Sequence, residues 1–563
     1  SLINNSRDWR APVRLSLKKK TKTMKTKVLR KFVVAAFAVA TLCPLAQAQT
    51  MGGDDVKVVQ YNQEKLVQTR MSVADNGWIY VMTHSGYDTG NSNVKIFRSK
   101  DQGATYQKLR DWDPSDDYQF QDFDIVVTGK NESDIKIWSV ELMNKPGGYK
   151  SRVAVFSRDA NAQNAKLVYK EDFSNVQLYD VDIASNYRSP SSLNNGGNPF
   201  ALAFAYTGFN NTHKISFVDY VFSLNGGQNF NKNLLFSQDG EKKIDKVDLS
   251  LGSTSESMGH NAWPLMGVVF EMNKQGGKSD IGFLSNFVDN DPEFQWSGPI
   301  KVSESDMSFS PKIQMLLDED NNTINGESCH NFMITYSDYD SEYSDWDIRY
   351  VYPKKSFKYE KGKTPTMDDL VEAFLTASYQ SETNSGLGYD KNANHYLITY
   401  AKKEENGTNT LKYRWANYDK IHNKDLWSDT FTYTSSANAL YTPQVDINPT
   451  KGLVCWSWVE YLPGKRIVWS DTQWTHANGV EDIVMQEGSM KLYPNPAQEY
   501  AVISLPTAAN CKAVVYDMQG RVVAEASFSG NEYRLNVQHL AKGTYILKVV
   551  SDTERFVEKL IVE

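Results

Sequence analysis

Cysteine and histidine are scarce in this chain, and both scarcities exclude common kinds of site. Four cysteines occur in 563 residues, and Cys329, Cys455 and Cys511 are the three that follow position 48. An odd number spread over two candidate domains favours buried thiols over a disulfide framework, with a Cys329–Cys455 bond as the alternative. The eight histidines lack metal-ligand spacing, so the sequence predicts no transition-metal site.

Long apolar runs and catalytic motifs are also missing. Beyond position 48 no apolar run approaches the roughly 18 residues that span a bilayer. The chain has no His-Glu-x-x-His and no Gly-x-Ser-x-Gly motif. The adjacent Cys329 and His330 are not a dyad signature, because catalytic partners usually come from distant segments. These absences predict a soluble or peripheral mature protein with no assigned catalytic residue and no cofactor.

The amino-terminal segment, 1–48, has the features of a secretory signal peptide. After Met24 come a basic stretch, Lys25–Lys31, and an apolar core, Phe32–Leu42. Ala46-Gln47-Ala48 is a small-x-small cleavage site, which leaves Gln49 first. We interpret the part before Met24 as an over-extended start; a long basic region is the alternative.

The charge balance argues against a nucleic-acid partner. The segment 1–48 holds 11 Lys or Arg and one acid, so the remainder has 50 basic and 67 acidic side chains and a formal charge of −17. Such a surface repels phosphates.

The segment 49–478 repeats a loose unit about seven times, at a spacing of roughly 60 residues. Each unit has a strongly apolar second strand and a later strand that is rich in aromatic residues and ends in Ser or Asp. This pattern predicts an all-β fold, a β-propeller of seven blades, with six or eight as alternatives. Only Thr366–Ala377 has a helical pattern. The predicted second strands are 78–82, 135–140, 200–206, 264–270, 332–336, 396–400 and 453–458, and the third strands are 94–98, 152–157, 216–222, 280–284, 347–352, 411–415 and 466–470.

Two hairpin motifs follow predicted third strands. Ser99, Asp101, Gly103 and Tyr106 match Ser-x-Asp-x-Gly-x-x-Trp with Tyr in place of Trp, and Ser223, Asn225, Gly227 and Phe230 form a degenerate copy. They resemble the Asp-box of sialidase-like propellers, in which the acid or amide caps turn N–H groups and glycine permits positive φ. The resemblance to sialidases stops there, because no arginine is followed by Ile-Pro and the arginine triad cannot be assigned.

Acidic loops and aromatic residues are the remaining candidates for binding. Asp338, Asp340, Asp345 and Asp347 offer hard oxygen ligands for Ca²⁺, with solvated loops as the alternative. Trp112, Trp346 and Trp474 are candidates for stacking on a sugar or a protein.

The carboxyl-terminal segment, 489–563, predicts a small antiparallel β-sandwich behind a polar linker, 479–488. The expected strands are 501–505, 512–516, 522–527, 532–536, 544–551 and 556–562. Four motifs in order resemble the C-terminal sorting domain of type IX secretion in Bacteroidota. The motif residues are Tyr493, Pro494, Asn495, Pro496, Asp517, Gly520, Arg521, Gly543, Tyr545, Lys548 and Lys559.

That resemblance implies export through the periplasm to the cell surface or the medium. It implies that outer-membrane export machinery and a sortase-like peptidase act on the domain, with removal expected in the linker and lipopolysaccharide attachment as a further step. The organisation resembles immunoreactive surface antigens of Porphyromonas. The leading hypothesis is therefore a non-enzymatic surface propeller for adhesion or ligand binding, with a host glycan or protein as ligand. A secreted glycoside hydrolase on a sialidase-like scaffold is the alternative.

Overall fold

The computed structural model describes most of the chain after position 54. The described residues are 55–62, 66–86, 93–112, 118–147, 150–188, 200–239, 243–253, 264–288, 296–303, 305–317, 323–324, 327–354, 357–358, 364–391, 393–448, 452–474, 490–517, 522–551 and 555–563. The predicted signal peptide with its cleavage site, the linker 479–488, and Gly520 and Arg521 of the sorting motif lie outside them. No helix among the described residues has the length and apolar character needed to cross a membrane.

Seven four-stranded antiparallel sheets make up the segment 56–474 of this described part. In each sheet the first-named strand is the innermost one and the last-named strand is the outermost. Sheet 1 is β2 (Val67–Val73), β3 (Ile79–Ser85), β4 (Asn93–Ser99) and β5 (Gln107–Trp112); sheet 2 is β6 (Gln119–Thr128), β7 (Lys136–Lys145), β8 (Lys150–Asp159) and β9 (Ala165–Ser174); sheet 3 is β10 (Val176–Ser185), β11 (Leu202–Asn210), β12 (Ile215–Ser223) and β13 (Asn231–Asp239); sheet 4 is β14 (Ile244–Ser253), β15 (Pro264–Asn273), β16 (Ser279–Phe287) and β17 (Ile300–Lys301).

The other three sheets follow the same order. Sheet 5 is β18 (Ser308–Met315), β21 (Phe332–Asp340), β22 (Asp345–Pro353) and β24 (Leu370–Phe374); sheet 6 is β25 (Glu382–Asp390), β26 (His395–Lys403), β27 (Asn409–Asn417) and β28 (Phe431–Ser436); sheet 7 is β29 (Ala439–Asn448), β30 (Leu453–Leu462), β31 (Lys465–Trp474) and β1 (Val56–Tyr61). A small extra sheet joins β19 (Thr323–Ile324), β20 (Glu327–His330) and β23 (Phe357–Lys358).

The sheets form a β-propeller. Their innermost strands contact one another in the closed cycle β2, β6, β10, β14, β18, β25, β29 and back to β2. Strand β1 pairs with β31, so the amino-terminal end of the described chain supplies the outer strand of sheet 7. The predicted all-β propeller is confirmed.

Continuous apolar runs explain why the predicted second strands form the middle of each sheet. A strand that is buried on both faces needs apolar side chains at every position rather than at alternate ones. In β11, for example, all residues from Leu202 to Tyr206 are buried. Its Phe204 packs towards sheet 2 and its Ala203 towards sheet 4, in two separate apolar clusters.

The helix predicted for Thr366–Ala377 is wrong. Met367–Asp369 form a single 3-10 turn, and β24 then supplies the outer strand of sheet 5. Asp369 caps the turn by accepting hydrogen bonds from the backbone N–H (3.0 Å) and the hydroxyl (2.7 Å) of Thr366. Thr366 and Asp369 thus form a capping box for one turn, and no helix follows it.

The two Asp-box hairpins have the same hydrogen bonds. In the first, the Ser99 hydroxyl donates to Asp101 (2.7 Å) and accepts from the Gly103 N–H (2.8 Å), while Asp101 accepts from the Thr105 N–H (2.9 Å). The Tyr106 hydroxyl lies 2.7 Å from that of Ser470, on sheet 7. This hairpin therefore fastens sheet 1 to the sheet that precedes it in the ring.

The second hairpin repeats this arrangement between sheets 3 and 2. Ser223 donates to Asn225 (2.8 Å) and accepts from the Gly227 N–H (2.9 Å). Gly227 has φ +78°, and a Cβ there would lie 2.5 Å from the Trp138 ring. The ring of Phe230 packs on Tyr169 with centroids 5.7 Å apart.

The segment 491–562 forms a separate five-stranded antiparallel sheet. Its strands are β32 (Lys491–Tyr493), β33 (Tyr500–Tyr516), β34 (Val522–Asn536), β35 (Gly543–Ser551) and β36 (Arg555–Val562), in the order β32-β33-β35-β36 with β34 also paired to β33. Two long strands thus replace four short predicted ones. The register between them shifts between Ser504 and Ala509, where pairing is interrupted before it resumes at Ala509.

We predict that Gly227→Ala destabilises the propeller more than Gly276→Ala. Both glycines have φ +78°, but a Cβ at Gly276 meets no atom of the described structure within 4 Å, whereas at Gly227 it meets Trp138. Gly276→Ala should cost about 1 kcal/mol from backbone strain alone, and Gly227→Ala about 2–4 kcal/mol because the clash adds to that strain. Urea unfolding followed by tryptophan fluorescence measures both, and equal losses would show that the hairpin does not press on Trp138.

Candidate functional site

Acidic side chains of the innermost strands line the central channel and bond to the next sheet. Oδ2 of Asp180 accepts the Val247 N–H at 2.9 Å, and Oδ2 of Asp248 accepts the Ile313 N–H at 2.7 Å. An innermost strand is an edge strand whose N–H groups need acceptors. The same role is filled elsewhere in the ring by Asp122 to Val181 (3.2 Å), Asp124 to Ile183 (3.1 Å), Asp182 to Leu249 (2.9 Å), Ser250 to Met315 (2.9 Å), Asp446 to Val73 (2.7 Å) and Ser72 to Val127 (3.1 Å).

Cations on neighbouring strands partly balance these acids. Arg70 donates to Asp122 at 2.9 Å, and Lys312 donates to Asp248 at 2.6 Å. Asp446 receives two guanidinium contacts from Arg188, at 2.8 and 3.1 Å. Lys246 pairs in the same way with Asp180, at 2.5 Å.

Carboxyl groups on neighbouring strands also affect one another's pKa. Asp122 hydrogen bonds with Asp180, and Asp124 hydrogen bonds with Asp182. Burial raises the pKa of Asp122 to about 7, against the opposing effect of Arg70. Burial also raises the pKa of Asp182 well above its usual range, and the charges of Asp248 and Asp124 add to this effect. Although burial opposes it, Lys246 lowers the pKa of Asp180, so one member of that pair stays ionised.

A cavity of about 190 Å³ lies within this ring of strands. Asp124, Asp182, Asp248, Asp446 and Arg188 contribute to its lining. Tyr187, Tyr389 and Gln444 line it as well. The sequence did not identify this group, because its members come from separate first strands that alternate polar and apolar residues, without any motif.

Glycosidic chemistry needs two carboxyl groups about 5–10 Å apart, with the sugar between them. Asp124 and Asp182 are in hydrogen-bond contact, so a glycosidic bond cannot lie between them. Asp248 and Asp446 are each held by a cation and by a backbone N–H. The arrangement therefore fits best a structural role for the carboxyl groups.

Two of the four aspartates proposed for Ca²⁺, Asp338 and Asp340, bond to different partners. Asp338 pairs with Arg349 (3.0 Å) and accepts from Ser308 (2.6 Å). Asp340 accepts the turn N–H of Glu342 at 2.7 Å. In the described part of the chain, no group of three His, Cys, Asp or Glu side chains is arranged to hold a metal ion.

Two of the three tryptophans singled out from the sequence, Trp112 and Trp346, are not open platforms. Trp112 is half-buried beneath the guanidinium of Arg158, 4.7 Å from the ring centroid. Trp346 is half-buried and packs edge-on against Phe309, with centroids 4.7 Å apart. The side chain of Trp474 lies outside the described ones, as does that of Cys329. Cys455 is a buried free thiol, and Cys511 is buried.

The sorting-motif residues sit on the carboxyl-terminal sheet. Asn495 donates to the Lys559 carbonyl (2.5 Å) and accepts the Ile561 N–H (2.8 Å). The Tyr545 hydroxyl donates to the Ala541 carbonyl at 2.6 Å, which ties the start of β35 to the preceding turn. Tyr493, Lys548 and Lys559 remain at least partly exposed, while Gly543 begins β35.

Several solved structures are similar to the propeller at low identity. They include an α-L-arabinofuranosidase of Fusarium graminearum (10% identity, 66% of this chain and 99% of that chain, TM-score 0.36), an α-L-arabinanase of Penicillium chrysogenum (8%, 65% and 98%, 0.37) and a Hadza microbial sialidase (8%, 71% and 65%, 0.33). Similarities this distant carry no argument about activity. No curated protein matches the chain.

The segment 491–563 matches the family described as the secretion system C-terminal sorting domain. The match covers the whole five-stranded sheet, including the Asn495 contacts with the last strand. Such a domain is recognised by the type IX export machinery. The chain therefore ends in a type IX sorting domain and is exported across the outer membrane, to the cell surface or into the medium.

Proposed function

We propose that the exported propeller acts by binding a ligand at the cell surface, in adhesion, and that it is not an enzyme. The observation that carries this proposal is that the acids of the channel are already bonded within the protein. Asp124, Asp182, Asp248 and Asp446 each accept a backbone N–H, from the next sheet or across the seam of the ring, and each also meets a cation or a second carboxyl group. Acids in that state stabilise the ring and are not free to move protons for a substrate.

A secreted glycoside hydrolase is the second candidate, favoured by one observation. Asp446, Arg188, Tyr187 and Tyr389 meet at the cavity, and such groups suit the binding of a charged or hydroxylated sugar. Asp182, with its raised pKa, would be the proton donor in that case.

Assays of the purified mature protein on a panel of host and algal polysaccharides distinguish the two candidates. We expect no release of reducing ends and saturable binding to host cells or extracellular matrix. Hydrolysis that disappears in Asp182→Asn, with unchanged folding by circular dichroism, would overturn the binding proposal and support the hydrolase.

The structural role of the acids predicts how stability depends on pH. Asp122 has a pKa of about 7 in the folded protein and about 3.9 when unfolded, so the folded state keeps a proton that the unfolded chain loses between these values. The contribution of Asp122 to the free energy of unfolding is therefore fully present below about pH 4 and is lost as the pH rises through about 7. Asn at this position cannot ionise, so Asp122→Asn should gain in Tm relative to the wild type between about pH 5 and 8.

Asp306→Asn is the control, because hydrogen bonds from Lys274 and Lys278 lower the pKa of Asp306 to about 2 and it does not titrate in that range. Its Tm difference from the wild type should stay constant. A constant difference for Asp122→Asn as well would show that Asp122 and Asp180 share no proton.

We further propose that the signal peptide is cleaved before Gln49, that the sorting domain is removed within the linker 479–488, and that the new carboxyl terminus is joined to lipopolysaccharide. Intact mass of the surface-extracted protein should then correspond to a chain that begins at Gln49 and ends in the linker, with added glycolipid mass. In cells without the type IX machinery we expect the full sorting domain on a periplasmic protein. A surface protein that retains Tyr545 and Lys559 in its mass would contradict the removal.

A further inference from the structure

A buried histidine lies where sheet 1 packs against sheet 2. His84 is 1% exposed, and on β3 it follows Tyr80 and Met82, whose side chains belong to the apolar cluster between these two sheets. Its ring stacks on Phe120 of β6, with centroids 5.2 Å apart and planes at 29°. Phe123 meets the same ring edge-on, with centroids 6.4 Å apart. An imidazole thus fills part of an apolar contact between two sheets.

One ring nitrogen of His84 has a partner and the other has none. Nδ1 lies 3.3 Å from Oε1 of Gln68, the residue opposite His84 on β2. Nε2 of Gln68 donates to Asp122 at 3.4 Å, so the Gln68 Oε1 faces His84 and the hydrogen of the imidazole is on Nδ1. Nε2 of His84 is buried and has no hydrogen-bond partner in the part of the chain that the structure describes. A further proton would therefore go to Nε2.

The strands around His84 supply no counter-ion for a charged imidazole. The charged residue of β2 is Arg70, which pairs with Asp122 at 2.9 Å and with Asp124 at 3.7 Å, the acids of β6. On β4 the residue opposite His84 is the apolar Val94. Burial lowers the pKa of His84 to about 4. A buried charge without a partner is strongly unfavourable, so the contact between the sheets depends on a neutral His84.

We propose that His84 makes the contact between sheets 1 and 2 sensitive to acid, because protonation of its imidazole drives β3 away from β6. A proton on Nε2 adds a donor that needs water or an anion. The face of Phe120 attracts a cation but offers no acceptor for that N–H. Water reaches Nε2 only when the ring leaves the apolar contact, so protonation and opening occur together. This device goes beyond the proposed binding function and does not depend on it.

Acid shifts the equilibrium towards the opened contact. When the contact is open, His84 is in water and its pKa is about 6.5, against about 4 when the contact is closed. The stabilisation from a neutral His84 is therefore fully present above about pH 6.5 and is lost as the pH falls through about 4. From pH 7 to pH 4 this group alone raises the opening constant about 100-fold.

Hydrogen exchange of the mature protein, followed by mass spectrometry and corrected for the intrinsic effect of pH on exchange, tests the device. Between pH 7 and pH 4 we expect the opening constant for amides of β3 and β6 to rise about 100-fold in the wild type. Amides of β21 and β26, on the other side of the ring, should change by less than about threefold.

His84→Phe and His84→Gln remove the titratable group in different ways. Phe fills the apolar contact, and Gln keeps a donor for Gln68, so a failure of one variant to fold leaves the other for the test. Neither side chain is protonated at pH 4, so the acid-dependent rise should be absent from the variant that is measured. His213→Gln is the matched control, because His213 is exposed in the hairpin between β11 and β12, and it should behave as the wild type does.

The proposal is overturned if the wild type shows no rise in β3 and β6, or if a folded His84 variant keeps that rise. An equal rise in all sheets would also overturn it, because acid would then unfold the whole ring rather than open one contact. Each of these failures leaves the proposed binding function standing, since that function does not require acid.

Discussion

The innermost strand of each sheet is an edge that has no further strand to pair with, and the propeller depends on how that edge is satisfied. Acceptors from the adjacent sheet, mostly aspartates, reach across and take the backbone N–H groups. A carboxylate in this position must lose its water, which is unfavourable unless other donors replace it. Arg70, Lys246, Lys312 and Arg188 are such donors, and burial raises the pKa of Asp182 well above its usual range.

This constraint decides where a ligand can be recognised. The channel is the usual concave feature of a propeller, but here its polar groups already bond to one another. Opening the Asp124–Asp182 pair or the Arg188–Asp446 contact to admit a ligand would leave edge N–H groups of the adjacent sheet unsatisfied, at about 1–3 kcal/mol each. Outside the ring of innermost strands, the packed rings of Tyr343 and Tyr379 are exposed.

The sequence predicted those strands in which burial determines both the local residue pattern and the structure. The second strands are buried on both faces, so their apolar runs are visible without knowledge of neighbours. The sequence of the first strands did not reveal their role. Asp122 interacts with Asp180, which lies on a different sheet and far along the chain, so no local pattern marks the pair. The helix predicted for Thr366–Ala377 is wrong because the capping box formed by Asp369 precedes a single 3-10 turn here, and the same residues can precede a helix. Tyr343 and Tyr379 could not be paired in advance, because only the pairing of β24 with β22 brings their two loops together.

The seam between the first and last sheets shows how the ring holds without a cross-link. Cys455 lies buried in sheet 7 as a free thiol, so no disulfide from it closes the ring. Closure comes instead from β1 pairing with β31, from Asp446 on the Val73 N–H, from Asn448 on the Ala74 carbonyl (2.6 Å) and from the Thr472 hydroxyl on the Gln102 carbonyl (2.7 Å). These partners come from opposite ends of the propeller sequence, so each contact closes a long loop of the chain. A seam built in this way makes stability cooperative around the whole ring, since loss of any one sheet removes the geometry on which β1 and the first Asp-box hairpin depend.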